Sequence, residues 1–285
     1  MSHQKQHHYV PKFYLDRFAD TAGHVWAFDK STDSTFCARP EKLAREGGFY
    51  DAPFLQGTAV DPAFFERGLA DLEAEAARIM SSWIRLIEAG GWKVTISEVA
   101  RGTISTYIAV QSLRTAEQRV VLSQLTVLGS SMPDLQSFHV GILFEELLVQ
   151  EVAQAIGECI WTFGRNDTGL PFYTSDHPVV VRVHPKRRCI HPLQLPNKGV
   201  EVMLPLSPTL MLYGYERSYF SSAEKYDGHV SPVQFTSVLV KSENVCQVGH
   251  SKRFVFCNRN AFEYARAFCA DHSAVRNSNR NRFLP

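Results

Sequence analysis

The chain has 285 residues, 45% of them hydrophobic and 21% charged, which is typical of a globular protein with one large domain or two closely packed ones. Its 30 basic side chains nearly balance the 29 acidic ones, so the net charge excludes a general attraction to nucleic acid or to an anionic membrane. The six scattered cysteines form no Cys-x-x-Cys pair, and neither an apolar leader nor about 18 consecutive apolar residues occur, so we expect a cytoplasmic protein with free thiols and no membrane partner.

The first distinctive segment is residues 6–15, QHHYVPKFYL, at a position where a disordered tail is the usual expectation. Two adjacent imidazoles, His7 and His8, titrate near neutral pH, and Tyr9 with the following proline adds rigid groups beside them. We interpret this opening as part of a functional site.

Next along the chain, apolar and polar residues alternate over residues 24–29, a polar turn follows, and residues 34–37 are again β-prone, which predicts a β-hairpin. Pro40 is then expected to start a short helix through Glu46, because proline favours the first helical turn and Gly47-Gly48 would end it.

A long helix is predicted to begin at Asp61-Pro62, a favourable N-cap and first-turn pair. Its apolar residues recur in steps of three and four: Phe65, Leu69, Leu72, Ala76, Ile79, Trp83 and Leu86. Glu66 and Glu73 lie beside this stripe, and we expect each to face solvent or form a simple ion pair, with a cleft as the alternative.

A second helix is predicted to open at Ser97 and Glu98. Its inner face consists of Ile104, Tyr107, Ile108, Gln111, Arg114 and Thr115. Gln111 and Arg114 therefore occupy positions where core residues are expected. A buried guanidinium must be paired or bind an anion, so the sequence leaves two possibilities open: a tie to a carboxylate, or an anion- or substrate-binding role.

After a third predicted helix over residues 135–156, the hydrophobic period changes from 3.6 to 2. Strands are predicted at 159–163, 172–174, 179–183, 201–204, 210–215 and 253–257, with helices at 237–248 and 260–271. A helical middle, 61–158, between strand-rich segments, 1–60 and 159–272, predicts an α+β fold. Its mainly antiparallel sheet would combine the N-terminal hairpin with the C-terminal strands. We expect a single domain over 1–272 and a loose, flexible tail over 273–285.

Small hydroxyls, a carboxylate and an imidazole follow one another in Thr174-Ser175-Asp176-His177-Pro178, between two predicted strands. Loops on a rigid scaffold often carry chemistry, but Ser and Asp also bond their own backbone in ordinary turns, so both interpretations stay open. Asn244 is a further polar residue that interrupts an otherwise regular pattern.

A resemblance to a known family rests on several elements in order: His8-Tyr9-Val10-Pro11 with Phe13-Tyr14-Leu15, Val25-Trp26, Phe49-Tyr50, Gln111-x-x-Arg114-Thr115, Thr174-Ser175-Asp176-x-Pro178 and Pro205-Leu206-Ser207. Together they resemble a large, mostly bacterial family of unknown function that is known by its HYVP opening. The resemblance implies one recurrent unit whose polar clusters belong to one site. The family usually has Asn where this chain has His177, which argues against a mechanism that requires this imidazole.

These residues suit the hydrolysis of a phosphodiester or a similar anionic bond. The imidazoles of His7 and His8 can each act as a general base or a metal ligand. We expect His8 as the base, Asp176 as its orienter or as a metal ligand, and Arg114 as the anion clamp. The expected substrate contacts are Tyr9, Gln111, Thr174, Ser175, His177 and Asn244. A divalent metal held by His8, Asp176 and Glu73 is an open possibility. A Ser175 nucleophile is disfavoured because no Gly-x-Ser-x-Gly elbow surrounds it, and the absence of Gly-rich phosphate loops argues against nucleotide-binding motifs.

The leading hypothesis is therefore a hydrolase of an anionic substrate, a nuclease or phosphodiesterase with a bacterial defence or toxin-like role. The alternative is a non-enzymatic module that binds or senses a ligand or nucleic acid. Two basic runs, Lys186-Arg187-Arg188 and Arg276 with Arg280 and Arg282, leave local nucleic-acid contact open, although such runs are usually solvated. A third possibility is a structural network that fixes the N-terminus to the core. Mutual hydrogen bonds would favour this network, whereas accessible side chains around a concave pocket would favour an enzyme or binder.

Overall fold

Helices and antiparallel strands follow one another in this computed structural model, which describes residues 6–51, 62–126, 134–184, 188–189, 195 and 197–282. The strands are β1 Gln6–His8, β2 Val25–Asp29, β3 Ser34–Ala38, β4 Arg45–Gly47, β5 Ile160–Arg165, β6 Thr174–Ser175, β7 Val180–Val183, β8 Arg188–Cys189, β9 Val200–Ser207, β10 Leu210–Tyr215 and β11 Phe254–Cys257. The helices are α1 Lys12–Leu15, α2 Pro62–Glu88, α3 Glu98–Leu113, α4 Ala116–Thr126, α5 Leu135–Phe144, α6 Glu146–Gly157, α7 Ser237–His250 and α8 Glu263–Asp271. The predicted α+β fold is confirmed.

A five-stranded antiparallel sheet has the order β5-β10-β9-β7-β8. All eight residues of β9 are buried, because both faces of the sheet are covered. Leu204 and Leu212 belong to the large core that also contains residues of α2, α3 and α6, whereas Met203 and Met211 pack with Val240 of α7. The alternation of side chains along β9 and β10 thus places helices on both sides of the sheet.

A four-stranded antiparallel sheet has the order β3-β2-β11-β6. It joins the N-terminal hairpin to two later strands, with Val255 opposite Phe28 and Ser175. The predicted combination of N-terminal hairpin and C-terminal strands is therefore present. It places the loop after β6 beside the start of β11.

The long helix α2 packs through Ala76, Ile79 and Trp83, as its apolar stripe predicts. The stripe does not continue to Leu86, which is 44% exposed, and Ile87 is buried in its place. Alternating steps of three and four average 3.5 residues, whereas an α-helix has 3.6 residues per turn. Over the length of α2 this difference moves the buried face by about one residue, from Leu86 to Ile87.

Some predicted elements have different boundaries in the structure. Residues 40–46 do not form a helix: Pro40–Lys42 is a single 3₁₀ turn, and β4 pairs with β1 instead. The predicted helix over 135–156 breaks at Glu145 into α5 and α6, which leaves Leu147 69% exposed. In each case a tertiary contact or a local break outweighs helical propensity.

Two further predicted boundaries also shift. The strand predicted over 172–174 begins at Thr174, because the backbone N–H of Phe172 donates to Pro208 and that of Tyr173 donates to a side chain of α7. The helix predicted over 260–271 begins at Glu263. The first correction reflects backbone hydrogen bonds made outside the expected element.

Other predictions are not tested by the described residues. The expected helix start at Asp61, the side chain of Phe65, and the basic residues Lys186 and Arg187 lie outside the described parts. The single domain and the loose tail stay predictions, although residues 273–282 make specific contacts with the rest of the chain. Among the described helices, none has the length and apolarity that crossing a membrane requires.

Candidate functional site

The first imidazole of the opening strand is held on both sides. The Nδ1 atom of His7 accepts a hydrogen bond of 3.2 Å from the backbone N–H of Tyr50, and its Nε2 atom lies 2.9 Å from a carboxylate oxygen of Glu66. Its ring also lies 5.5 Å from the ring of Tyr50. Because His7 is buried and its Nδ1 atom already accepts a backbone hydrogen bond, its geometry suits a structural position better than proton transfer.

The second imidazole is only half-buried. The Nε2 atom of His8 lies 3.2 Å from the carbonyl oxygen of Glu41, which can only accept, so Nε2 carries the proton and Nδ1 keeps its lone pair. Burial lowers the pKa of His8, the carbonyl raises it less, and the charge of Arg45 lowers it further. The ring is therefore neutral at neutral pH, with Nδ1 available as a base.

The exposed Arg45 lies on β4 directly opposite His8 in the antiparallel β1–β4 pair. Side chains of directly opposed residues in such a pair extend from the same face. An imidazole base and a guanidinium thus share one face of this ribbon, an arrangement that the sequence analysis missed. The strand pairing could not be seen from the sequence, because residues 40–46 read as a helix.

Gln111 and Arg114 are directed inward, as predicted, and their polar atoms form hydrogen bonds with other protein groups. The Gln111 Nε2 atom donates to the carbonyl of Tyr9 at 2.9 Å, and its Oε1 atom accepts two hydrogen bonds from Arg114, at 2.9 and 2.7 Å. Arg114 also donates to Glu73 at 2.7 Å and is 1% exposed. Of the two possibilities for Arg114, the structure therefore contains the tie to a carboxylate. Glu73 forms an ion pair, as expected.

The charge of Arg114 is stabilised within this cluster. Burial opposes its ionisation, but Tyr50 and the carboxylate of Glu73 together raise the pKa of Arg114 above its usual value. This pairing offsets the free-energy cost of burying the guanidinium, and the hydrogen-bond donors of Arg114 are directed at protein acceptors.

Asp176 clamps the backbone that leads into β11. One carboxylate oxygen accepts from the N–H of Lys252 at 2.8 Å, and the other accepts from Arg253 at 2.7 Å and Phe254 at 2.8 Å. Burial raises the pKa of Asp176, whereas these three donors favour the ionised form. Both oxygens are directed at backbone donors, and the carbonyl of Glu41, not Asp176, orients the ring of His8.

The two hydroxyls before Asp176 are also satisfied internally. Thr174 shares a 2.8 Å hydrogen bond with the hydroxyl of Tyr14, and Ser175 donates to Gln247 at 2.9 Å. Because Ser175 donates its proton to an amide oxygen and has no adjacent general base, it is not set up as a nucleophile.

The side chain of Asn244 supports the segment before β6. Its Oδ1 atom accepts from the backbone of Tyr173 at 2.7 Å, and its Nδ2 atom donates to Pro171 at 2.9 Å. Gln247, three residues later on α7, donates to Pro178 at 2.9 Å. Gln247 is not among the residues predicted from the sequence, although its three-residue spacing from Asn244 repeats the Gln111 to Arg114 pattern.

His177 connects the loop to the end of α3. Its Nδ1 atom lies 2.6 Å from the hydroxyl of Thr115, and its ring stacks at 5.9 Å on the ring of His250. Burial lowers the pKa of His177 to about 4 and that of His250 to about 3. Both rings are neutral at neutral pH, so they add no positive charge to the network.

The predicted residues form several separate hydrogen-bonded groups: Tyr9, Gln111, Arg114 and Glu73 are one, Thr115 and His177 a second, and Ser175 and Gln247 a third. We call these groups, with His7, His8, Asp176 and Asn244, the polar network. The charges of Asp176 and Arg253 act on the hydroxyl of Tyr9. Burial, reinforced by Asp176, raises the pKa of the Tyr9 hydroxyl. Among the four side chains predicted to be catalytic, His8 is half-buried, whereas His7, Arg114 and Asp176 are buried.

The predicted metal set does not form in the described part of the chain. There, no three His, Cys, Asp or Glu side chains converge as metal ligands, and Asp176 directs its oxygens at backbone N–H groups. A cavity of about 270 Å³ lies at the far end of α2, lined by residues that include Ile84, Ile87 and Leu210, and by none of the predicted site residues.

The comparisons with known proteins gave one family. The model of a family described as "Protein of unknown function (DUF4238)" matches residues 6–261, which is most of the chain. The comparisons with curated proteins and with solved structures gave no match. The matched residues contain the whole network from His7 to Gln247, but not Arg280 and Arg282.

Proposed function

The chain belongs to the DUF4238 family of proteins of unknown function, and from this starting point we propose that it hydrolyses an anionic substrate, a phosphodiester such as nucleic acid. The observation that carries the proposal is the pair of His8 and Arg45 on one face of the β1–β4 ribbon. His8 presents a neutral imidazole with Nδ1 as acceptor, and Arg45 presents an exposed cation beside it.

In the proposed reaction, His8 Nδ1 accepts a proton from water as the water oxygen attacks the phosphorus atom. A P–O bond to water forms, the P–O bond to the leaving group breaks, and the protonated imidazole then returns its proton to the leaving oxygen. Arg45 offsets the charge that develops on the non-bridging oxygens. Arg114 and Asp176 are positioning residues in this proposal, because their polar atoms are bonded to protein groups.

The resemblance to the family known by its HYVP opening belongs to the same proposal. The family match begins at residue 6, two residues before His8-Tyr9-Val10-Pro11. We propose that the HYVP opening is a functional signature, since it supplies His8, and that the activity serves a bacterial defence or toxin-like role.

The test is an assay of the purified full-length protein. Substrates would be bis(p-nitrophenyl) phosphate and single- and double-stranded RNA and DNA, each with chelator and with Mg²⁺, Mn²⁺ or Zn²⁺. We expect His8→Ala to lower kcat by about 10²-fold or more, since general bases contribute on this scale. Arg45→Ala should also lower kcat, because the charge that Arg45 offsets develops in the transition state.

The matched control is His24→Ala, because His24 is a half-buried histidine at the start of β2, outside the network. It should retain full activity. Asp176→Asn should lower the melting temperature, because one of its three backbone donors would lose its acceptor. If no substrate is cleaved under any ion condition, or if His8→Ala is fully active, the hydrolase proposal fails.

A second candidate is a ligand- or nucleic-acid-binding or sensing module. In this candidate the exposed Arg45 and the half-buried His8 would contact a ligand that is not converted, because the polar atoms of Gln111, Arg114 and Asp176 are bonded to protein groups. A ligand that raises the melting temperature without being converted would support it. If His8→Ala changes only stability and no ligand is found, the network is structural.

A further inference from the structure

An exposed group of aromatic rings lies away from the polar network. Trp92 is 69% exposed and Tyr226 is 37% exposed. The ring of His229 lies between them, 5.4 Å from the ring of Trp92 and 5.9 Å from that of Tyr226. We call these three rings, with Lys93 and Lys225, the Trp92 platform. Large aromatic side chains exposed as a group are uncommon unless they bind something.

The platform rests on a paired backbone. The N–H of Val94 donates to the carbonyl of Gly228 at 2.8 Å, and the N–H of Val230 donates to that of Trp92 at 2.9 Å. Gly228 has φ +78°, and a Cβ atom there would lie 2.3 Å from the Val94 carbonyl oxygen. Only glycine permits this approach, so the two segments are held together and the exposed rings are presented from a fixed backbone.

The side chains around the rings are basic. Lys93 and Lys225 are exposed, and the Nζ atom of Lys225 lies 5.1 Å from the centre of the Tyr226 ring. Residues 89–96 include no acidic side chain. The platform therefore combines flat apolar surfaces with two exposed cations.

The acidic residues of the neighbouring segment are already neutralised. Asp227 accepts hydrogen bonds of 2.7 Å from both the backbone of Trp161 and the guanidinium of Arg101. Glu224 pairs with Arg217. Because these carboxylates pair with arginines, they do not neutralise the lysine charges of the platform.

The platform lies at the opposite end of α2 from the proposed hydrolytic site. Glu66, in the second turn of α2, contacts His7, whereas Trp92 follows the C-terminal end of the helix at Glu88. Between Glu66 and Glu88, the helix rises by about 30 Å at its standard 1.5 Å per residue. The two sites are therefore separate.

We propose that the Trp92 platform binds single-stranded nucleic acid. Bases would stack on the exposed faces of Trp92 and Tyr226, while Lys93 and Lys225 contact phosphates, the combination by which proteins hold single strands without reading sequence. The charge complementarity favours this occupant over a protein partner or a second copy of the chain. The inference goes beyond the proposed hydrolysis and can be true whether or not His8 is catalytic.

The test is fluorescence anisotropy with labelled oligothymidine and oligouridine of about twelve nucleotides and full-length protein. It is done in chelator with the wild type and the His8→Ala variant in parallel, so that neither metal-dependent nor His8-dependent cleavage removes the strand. We expect binding of one or both strands and quenching of tryptophan fluorescence. Trp92→Ala should weaken the Kd about tenfold or more, since stacking on an aromatic side chain contributes on this scale. Lys93→Ala and Lys225→Ala should each reduce the salt dependence of log K by about 0.7.

The matched control is Leu147→Ala, because Leu147 is 69% exposed like Trp92 but lies on α6. It should bind as the wild type does, and both variants should keep the wild-type melting temperature. His8→Ala should also leave binding unchanged, which separates this inference from the hydrolase proposal. Failure to bind either strand at about 50 mM salt would overturn the inference, as would unchanged binding by Trp92→Ala. Self-association that Trp92→Ala abolishes, or binding of a protein alone, would also overturn it.

Discussion

Buried residues of the network satisfy their polar groups in different ways. Asp176 is buried with its carboxyl oxygens directed at three backbone donors, whereas its neighbour His177 is buried as a neutral ring beside Thr115. Both solutions satisfy the same rule, since a buried polar group costs free energy unless its hydrogen bonds are made. The residue types of this loop therefore suggest a reactive site in the sequence, whereas in the fold their polar groups make hydrogen bonds within the protein.

The depressed pKa of His177 makes stability depend on pH. Burial lowers this pKa to about 4 from an ordinary value of 6.5. Between these values the unfolded chain binds a proton that the native state does not, so the free energy of unfolding decreases as the pH falls through this window. Above pH 6.5 the group has no such effect.

We therefore expect His177→Asn, which keeps a hydrogen-bonding side chain, to reduce the pH dependence of stability. From about pH 7 to about pH 4 the wild type should lose about 3 kcal/mol more free energy of unfolding than the variant. Urea denaturation at several pH values measures this difference. Parallel curves for the two proteins would show that His177 titrates normally.

At the scale of elements, α7 is attached to the five-stranded sheet by a buried ion triad. Arg182 of β7 pairs with Glu201 of β9 and, at 2.7 Å, with Glu243 of α7. Burial opposes the charge of Arg182, but the carboxylate of Glu243 raises its pKa above the usual range. The polar face of α7 is therefore turned inward, which apolar periodicity alone does not predict.

Breaking this triad should be costly. Arg182→Met would leave two buried carboxylates without a cation, and we expect it to reduce the free energy of unfolding by about 3–5 kcal/mol. Arg165→Met is the control, because Arg165 pairs with Asp167 on the surface, and we expect a change within about 0.5 kcal/mol.

Chemical denaturation of both variants measures the comparison. The additional changes Glu201→Leu and Glu243→Leu should restore much of the stability lost in Arg182→Met, since an apolar replacement removes the stranded charges. Equal effects of Arg182→Met and Arg165→Met would argue against a buried triad.

At the scale of the whole molecule, the end of the chain returns to its middle. Arg282 pairs with the buried carboxylate of Glu117 on α4, with one contact of 2.6 Å, and its backbone N–H donates to Gln124 at 2.8 Å. Although burial opposes ionisation of Glu117, the guanidinium of Arg282 lowers its pKa. The composition of this segment, which is rich in Asn and Arg, predicts a loose tail instead.

Arg282→Ala should destabilise the protein by about 3 kcal/mol, because Glu117 would stay buried without its cation. Thermal unfolding measures the effect. Arg78→Ala, which removes the partner of Glu75 in an exposed pair, should leave the melting temperature unchanged. If Arg282→Ala is as stable as the wild type, the segment is loose in solution, as its composition predicts.

Hydrophobic patterning by itself determined the α+β class, the N-terminal hairpin, the buried face of α3 and the inward direction of Gln111 and Arg114. These follow from local periodicity, because a helix or strand must turn its apolar side toward the core. The sequence also singled out the polar residues that the fold brings together. It did not show their partners.

Only the tertiary structure decided which groups these residues contact. Arg114 meets Glu73 across 41 residues of chain, and Asp176 meets backbone donors 76 to 78 residues away. Such partners depend on how elements pack, and periodicity determines the face of an element but not what lies against it. For the same reason the pairing of β1 with β4, which sets Arg45 opposite His8, could be seen only in the fold.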